Sequence, residues 1–205
     1  KAMMSGRPGP VTIDVPMDIQ AKTAEVEIHD MKKRMPTGLM FPDPKDIDAA
    51  VEMLLFAKRP AIVAGGGVIT ANASRALCEL AEKTGAVVCY TFNGKGAISD
   101  EHPLCAGGNG QTGTTAANAL LANADVLLSV GCRFTDWSSG SYAKGSTYSI
   151  PPCRLIHIDI DAHEIGKTYP TEIGIVSDAK AALEAMVSGI SKQQSTDCLG
   201  KRGDY

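Results

Sequence analysis

Apolar positions along the chain fall into two repeating patterns. Pro60-Ala-Ile-Val-Ala64, Ala86-Val-Val-Cys-Tyr90, Asp125-Val-Leu-Leu-Ser-Val130, Leu155 to Ile160 and Ile173 to Val176 are short, nearly continuous apolar runs. Such runs predict strands buried on both faces. Between them the spacing becomes helical. Ile47, Val51, Leu54 and Leu55 recur behind Asp43-Pro44, a capping residue followed by proline at the first helical position. Ala76, Leu77, Leu80 and Ala81 lie on one face of a helix predicted over 72–84. Further helices are predicted over 113–123 and 178–190, the last capped by Asp178, with a helical turn over 162–166. Alternating strands and helices predict an α/β fold, a Rossmann-like doubly wound parallel sheet with helices on both faces, over 44–190. Residues 91–112 read as a long glycine-rich connection. At the start, Val11-Thr-Ile-Asp-Val15 reads as a strand that needs a sheet to join, so 1–20 is expected to be the C-terminal end of a truncated domain. Residues 21–43, with prolines at 36 and 42, read as a linker. The polar stretch 191–205 reads as a linker or tail.

Composition narrows the classes. The chain has 205 residues, 44% hydrophobic and 21% charged, too apolar for a disordered chain. Twenty Lys and Arg against 23 Asp and Glu leave a net charge of −3, so no basic field exists to hold nucleic acid. Aromatics at 5% are too few for single-strand stacking platforms. No apolar run approaches the ~20 residues that span a bilayer, and the N-terminus lacks a signal-peptide core. Neither nucleic acid nor membrane is expected as a partner. Cys78, Cys89, Cys105, Cys132, Cys153 and Cys198 form no CxxC knuckle and are expected to be free thiols of a cytoplasmic protein. The chain begins with Lys1 rather than Met, which fits a piece of a longer product.

In an open parallel sheet, ligands settle at the carboxyl ends of the strands. Glycine is abundant there, at Gly65-Gly66-Gly67, Gly94-Lys95-Gly96, Gly107 to Gly113 and Gly131. Glycines at 65–67 admit a pyrophosphate to backbone N–H groups, or simply form a tight strand-to-helix turn with positive φ. Thr70 stands where a G-x-G-x-x-G fingerprint requires its third glycine. Arg133 at a strand end suits either a phosphate or a surface ion pair. Asp159 suits ribose hydroxyls or a turn cap. No catalytic residue and no metal site is predicted. The four histidines form no HExxH, no G-x-S-x-G elbow is present, and no P-loop surrounds Lys95.

Three segments together carry a specific resemblance. Arg7-Pro-Gly-Pro-Val11, Ala124-Asp-Val-Leu-Leu-Ser-Val-Gly-Cys-Arg-Phe-Thr-Asp136 and Leu155-Ile-His-Ile-Asp-Ile-Asp-Ala-His-Glu-Ile-Gly-Lys167 resemble, in order and spacing, thiamine-diphosphate-dependent enzymes of the acetolactate synthase type. The resemblance implies that 44–190 is the central domain and that 1–20 ends the N-terminal, pyrimidine-binding domain. It implies thiamine diphosphate and Mg²⁺ in the parent enzyme, held by motifs of the N- and C-terminal domains that this sequence does not contain. This segment alone is therefore expected to be inactive. It further implies packing against those two domains in a homodimer or homotetramer. In flavin-containing members the central domain binds FAD, and related members place ADP or nothing in the same crevice. Carried over, those contacts fall on Arg7, Gly65, Gly66, Gly67, Thr91, Gly131, Arg133, Asp159 and Asp178. Two departures bear on FAD. Gln111-Thr112-Gly113 stands where flavin-type synthases usually show Met-His-Gly, and Trp137 where they usually show Arg. Gly113-Thr-Thr-Ala-Ala-Asn118 with Thr135-Asp136-Trp137 also resembles the flavin-free branch that hydrolyses a cyclic dione. The alternative outside this family is a stand-alone nucleotide-binding module.

Overall fold

A computed structural model describes residues 3–36 and 38–193. The chain divides into two compact units, Lys1–Gly38 and Leu39–Tyr205. In the first unit, helix α1 spans Met17–Gln20 and a 3₁₀ turn spans Met31–Arg34, capped by the Asp30 carboxylate. Neither buries a residue. Residues 11–15 form no strand, contrary to the sequence reading. Their alternating apolar side chains stand exposed, Ile13 at 81%, because no sheet edge within the described residues pairs with them.

The second unit follows the predicted alternation. Helix α2 (Pro44–Phe56) begins where expected, with Asp43 Oδ1 accepting from the Lys45 N–H. Strand β1 (Pro60–Ala64) leads into a short helix α3 (Gly66–Thr70) and then α4 (Ser74–Thr84), which ends on left-handed Gly85. Strands β2 (Val87–Tyr90) and β3 (Cys105–Gly108), helix α5 (Thr115–Asn123) and strands β4 (Val126–Val130), β5 (Arg154–Asp159) and β6 (Ile173–Val176) precede helix α6 (Ala179–Gln193).

Every strand pair is parallel, and the sheet order is β3-β2-β1-β4-β5-β6. This is the doubly wound order in which the winding reverses between β1 and β4. Alternating side chains of each strand feed two cores. Ile62, Val88, Leu128 and Ile156 meet α2, α4 and α6 on one face. Ala61, Val63, Leu127 and Leu155 meet α5 and the segment 132–153 on the other. Burying each of the Val, Leu and Ile side chains among these contributes roughly 1.5–3 kcal/mol.

The structure differs from the sequence reading in four places. Helix α3 and strand β3 lie within stretches read as turn and loop. β3 carries Cys-Ala-Gly-Gly, which has almost no side-chain pattern and becomes a strand only by pairing with β2. Helix α5 starts at Thr115 rather than 113, because Gly113 packs against the backbone of Asn109 and Thr114 caps the helix. Residues 162–167 are hydrogen-bonded turns without a helix. Helix α6 continues to Gln193, and the predicted tail from 194 onward lies outside the described residues.

A candidate site along the carboxyl edge of the sheet

Main-chain hydrogen bonds extend the sheet past its strand ends. Thr91 N–H donates to Ala64 O (3.0 Å), Gly65 N–H to Val130 O (2.9 Å), Gly131 N–H to Ile158 O (2.8 Å) and Ser177 N–H to Asp159 O (3.0 Å). This row sets Thr91, Gly65, Gly131, Asp159 and Ser177-Asp178 side by side along one edge. Eight of the nine predicted site residues thus belong to the carboxyl-end loops of a single sheet. The ninth, Arg7, belongs to the first unit.

The glycines owe their place to close approach rather than to the positive φ expected of a tight turn. Gly65 has φ −92° and ψ −176°, an extended conformation open to any residue. A Cβ at Gly65 would overlap the Gly131 carbonyl oxygen, and one at Gly67 would lie 2.7 Å from Gly131 Cα. A Cβ at Gly94 would overlap the Ala64 carbonyl oxygen. The backbones after β1, β2 and β4 therefore touch at the switch point. Gly131, with φ 56°, is the member of this contact that also needs glycine's conformational freedom. Gly67 N–H donates to Gly131 O (3.1 Å). Two of the three amides in the Gly65–Gly67 run are thus taken by protein carbonyls. Much of the glycine signal reflects packing of one loop on another.

The polar groups divide into committed and uncommitted. Asp159 is buried and Oδ1 accepts from the Asp161 N–H (2.9 Å). Burial holds its carboxyl above the usual carboxylate range, and no protein donor among the described residues reaches Oδ2. Asp178 caps α6, with Oδ1 accepting from the Ala181 N–H (3.0 Å). The exposed Arg133 guanidinium has no carboxylate partner among the described residues. A free guanidinium and a buried carboxylate with one open oxygen, on adjacent strand ends, suit the phosphate and the ribose hydroxyls of a nucleotide. The residues present fit such a ligand through these two side chains more than through the glycine run.

Groups that the sequence reading missed support this edge from below. Asn118 grips the Gly110 peptide at both ends, accepting from its N–H (2.9 Å) and donating to its carbonyl (3.0 Å). Asn109 Nδ2 donates to Ser138 O and Tyr148 Oη (2.9 and 2.8 Å). Phe134 packs edge-on against Tyr148, His157 and Tyr169, with centroids 5.2–5.3 Å apart. His157 Nε2 lies 2.9 Å from Cys132 O, which can only accept, so that nitrogen carries the proton. Burial depresses its pKa and keeps the ring neutral. The apolar signal of Phe134 and Tyr148 is visible in the sequence, but their meeting with His157 depends on the path of the 132–153 segment. Cys78, Cys89, Cys105, Cys132 and Cys153 are free thiols, and burial pushes those of Cys89, Cys132 and Cys153 up to about 12, 11 and 12. Among the described residues no group of His, Cys, Asp and Glu could hold a metal, and no helix is long and apolar enough to cross a membrane.

Residues 47–186 match the family of the thiamine pyrophosphate enzyme, central domain. The chain belongs to this family. A probable acetolactate synthase large subunit from Methanococcus aeolicus is 40% identical over 189 residues, covering 89% of this chain and 31% of that protein. A glyoxylate carboligase from Escherichia coli O157:H7 is 41% identical over 205 residues, covering 99% and 34%. An acetolactate synthase large subunit from Corynebacterium glutamicum is 36% identical over 206 residues, covering 98% and 32%. The chain therefore spans about a third of the length of the curated relatives it matches.

Proposed function

We propose that this chain serves as the central domain of a thiamine-diphosphate-dependent carboligase or lyase acting on 2-oxo acids, similar to acetolactate synthase. The observation that carries the reading is the family match over 47–186, in a chain one third as long as its carboligase and synthase relatives. In this reading the coenzyme and Mg²⁺ belong to flanking N- and C-terminal domains, and residues 1–20 end the first of them. The central domain contributes packing within a homodimer or homotetramer. Exposed apolar side chains such as Phe56 and Phe92 support such packing. The free thiols support a cytoplasmic setting.

The carboxyl-edge crevice takes an adenine nucleotide, FAD or ADP, with Arg133 on phosphate and Asp159 on ribose. Gly65, Gly66, Gly67, Thr91, Gly131 and Asp178 line it. One observation favours the cyclic-dione hydrolase branch as a second reading. That observation is the run Gly113-Thr-Thr-Ala-Ala-Asn118 together with Thr135-Asp136-Trp137, where the flavin pattern is departed from.

Assays with thiamine diphosphate and Mg²⁺ test the first reading. The 205-residue chain is expected to turn over neither pyruvate nor glyoxylate, while the native protein isolated from its source consumes one of them. Turnover by the short chain overturns the assignment. Calorimetric titration with ADP and FAD tests the crevice: binding is expected in the wild-type chain and a loss of affinity in Arg133→Glu.

A further inference from the structure

Trp137 is the only tryptophan of the chain, and it stands 59% exposed in the segment that follows β4. Large aromatic side chains are ordinarily buried or paired, yet no ring contact to the indole occurs among the described residues. The segment beneath it is fixed. Trp137 O accepts from Gln111 N–H, Ser138 O accepts from Asn109 Nδ2, and Ser141 N–H donates to Asp136 O at 2.8 Å. A Cβ at Gly110 would overlap the Trp137 carbonyl oxygen, so the main chain has no slack on that side. Three non-glycine residues of the same segment, Phe134, Ser141 and Tyr142, hold left-handed φ of 51°, 55° and 59°. Such conformations persist where surrounding contacts enforce them, and they concentrate at recognition sites. A rigid backbone thus presents an uncovered indole four residues from the free Arg133 guanidinium, at the carboxyl end of the strand beside the switch point.

We infer that Trp137 is a ring-binding residue, stacking on the planar base of the nucleotide whose phosphate meets Arg133. This rests on the nucleotide reading above and adds what that reading lacks, a contact to the base. Indole–base stacking tolerates any base and costs little ordering when the platform is already held. The two side chains then divide the work, Arg133 reading charge and Trp137 reading the ring.

Because the chain has one tryptophan, its emission excited beyond the tyrosine band reports this site alone. The 205-residue chain is titrated with ADP, with FAD and with inorganic pyrophosphate, followed in parallel by calorimetry. Expected are quenching by the nucleotides, none by pyrophosphate, and an affinity for ADP weakened roughly tenfold in Trp137→Ala. Trp137→Phe, which keeps a ring, restores most of that affinity, and pyrophosphate affinity is equal in all three proteins. If calorimetry shows ADP or FAD bound with no quenching and with unchanged affinity in Trp137→Ala, stacking is wrong and the nucleotide crevice stands. If neither nucleotide binds, both fall.

Discussion

A β-carbon at position 65 has nowhere to go, because the Gly131 carbonyl already fills that space and is itself bonded to Gly67 N–H. Backbone cannot yield as a flexible side chain can. Gly65→Ala is therefore expected to destabilise the domain by about 3 kcal/mol, the upper end for overpacking. Gly66 differs in degree: its added methyl would lie 3.1 Å from Asn93 Cβ and 3.4 Å from Asn93 O, a tight contact that a movement of a few tenths of an ångström relieves. Gly66→Ala should cost clearly less, about 1 kcal/mol or below. Urea denaturation of the two variants separates the cases, and equal losses would refute the close-contact account. In the sequence both glycines look alike. Only the approach of the loop after β4 makes Gly65 the more strictly required of the two.

Strands β1 and β4 start together through one carboxylate. Asp125 Oδ2 accepts from Lys58 N–H (2.7 Å) and Oδ1 from Arg59 N–H (2.9 Å), which fixes the turn between α2 and β1 against the first residues of β4. Removing it in Asp125→Ala loses two charge-assisted bonds, although water can reach the freed amides, so a cost of about 1.5 kcal/mol is expected. Thermal or urea unfolding of that variant measures it, and a change within error of zero would show the clamp to be ornamental. Elements with strong patterns are legible in the sequence. Helix α2 reads from Asp43-Pro44 and its apolar stripe, and β1, β4 and β5 read from their runs. Elements that depend on a neighbour are not. Strand β3 has no stripe of its own, α3 is five residues rich in glycine, and Val11-Thr-Ile-Asp-Val15 has a strand's pattern without a sheet to complete it.

For the unit Leu39–Tyr205 as a whole, pH acts through two buried groups of opposite sign on β5. His157 has its pKa lowered by burial, so the unfolded chain binds a proton first as pH falls below about 6.5. Stability is complete above that value and declines as pH falls toward the lowered folded value. Asp159 has its pKa raised by burial, so its ionised form costs stability at neutral pH, and protonation relieves that cost in a lower window. In His157→Gln the decline just below pH 6.5 should disappear. Urea midpoints at a series of pH values across that window check this, and an unchanged slope would assign the dependence elsewhere. The residues of the candidate edge were mostly legible, because glycine and polar residues directly after apolar runs mark strand ends. Their adjacency was not. The sequence by itself determined the strongly patterned elements, helices α2, α4 and α6 and strands β1, β2, β4, β5 and β6, since apolar periodicity and capping act within a few residues. It also carried the thiamine pyrophosphate family, through three motifs in order. The tertiary structure alone decided the order β3-β2-β1-β4-β5-β6, which loops meet at the switch point, why Gly65 and Gly131 must be glycine, and that Arg133 and Trp137 stand open. These depend on contacts between residues distant along the chain, such as Val88 with Cys105 and Gly65 with Gly131, and no local pattern encodes which distant backbone will arrive beside a given residue.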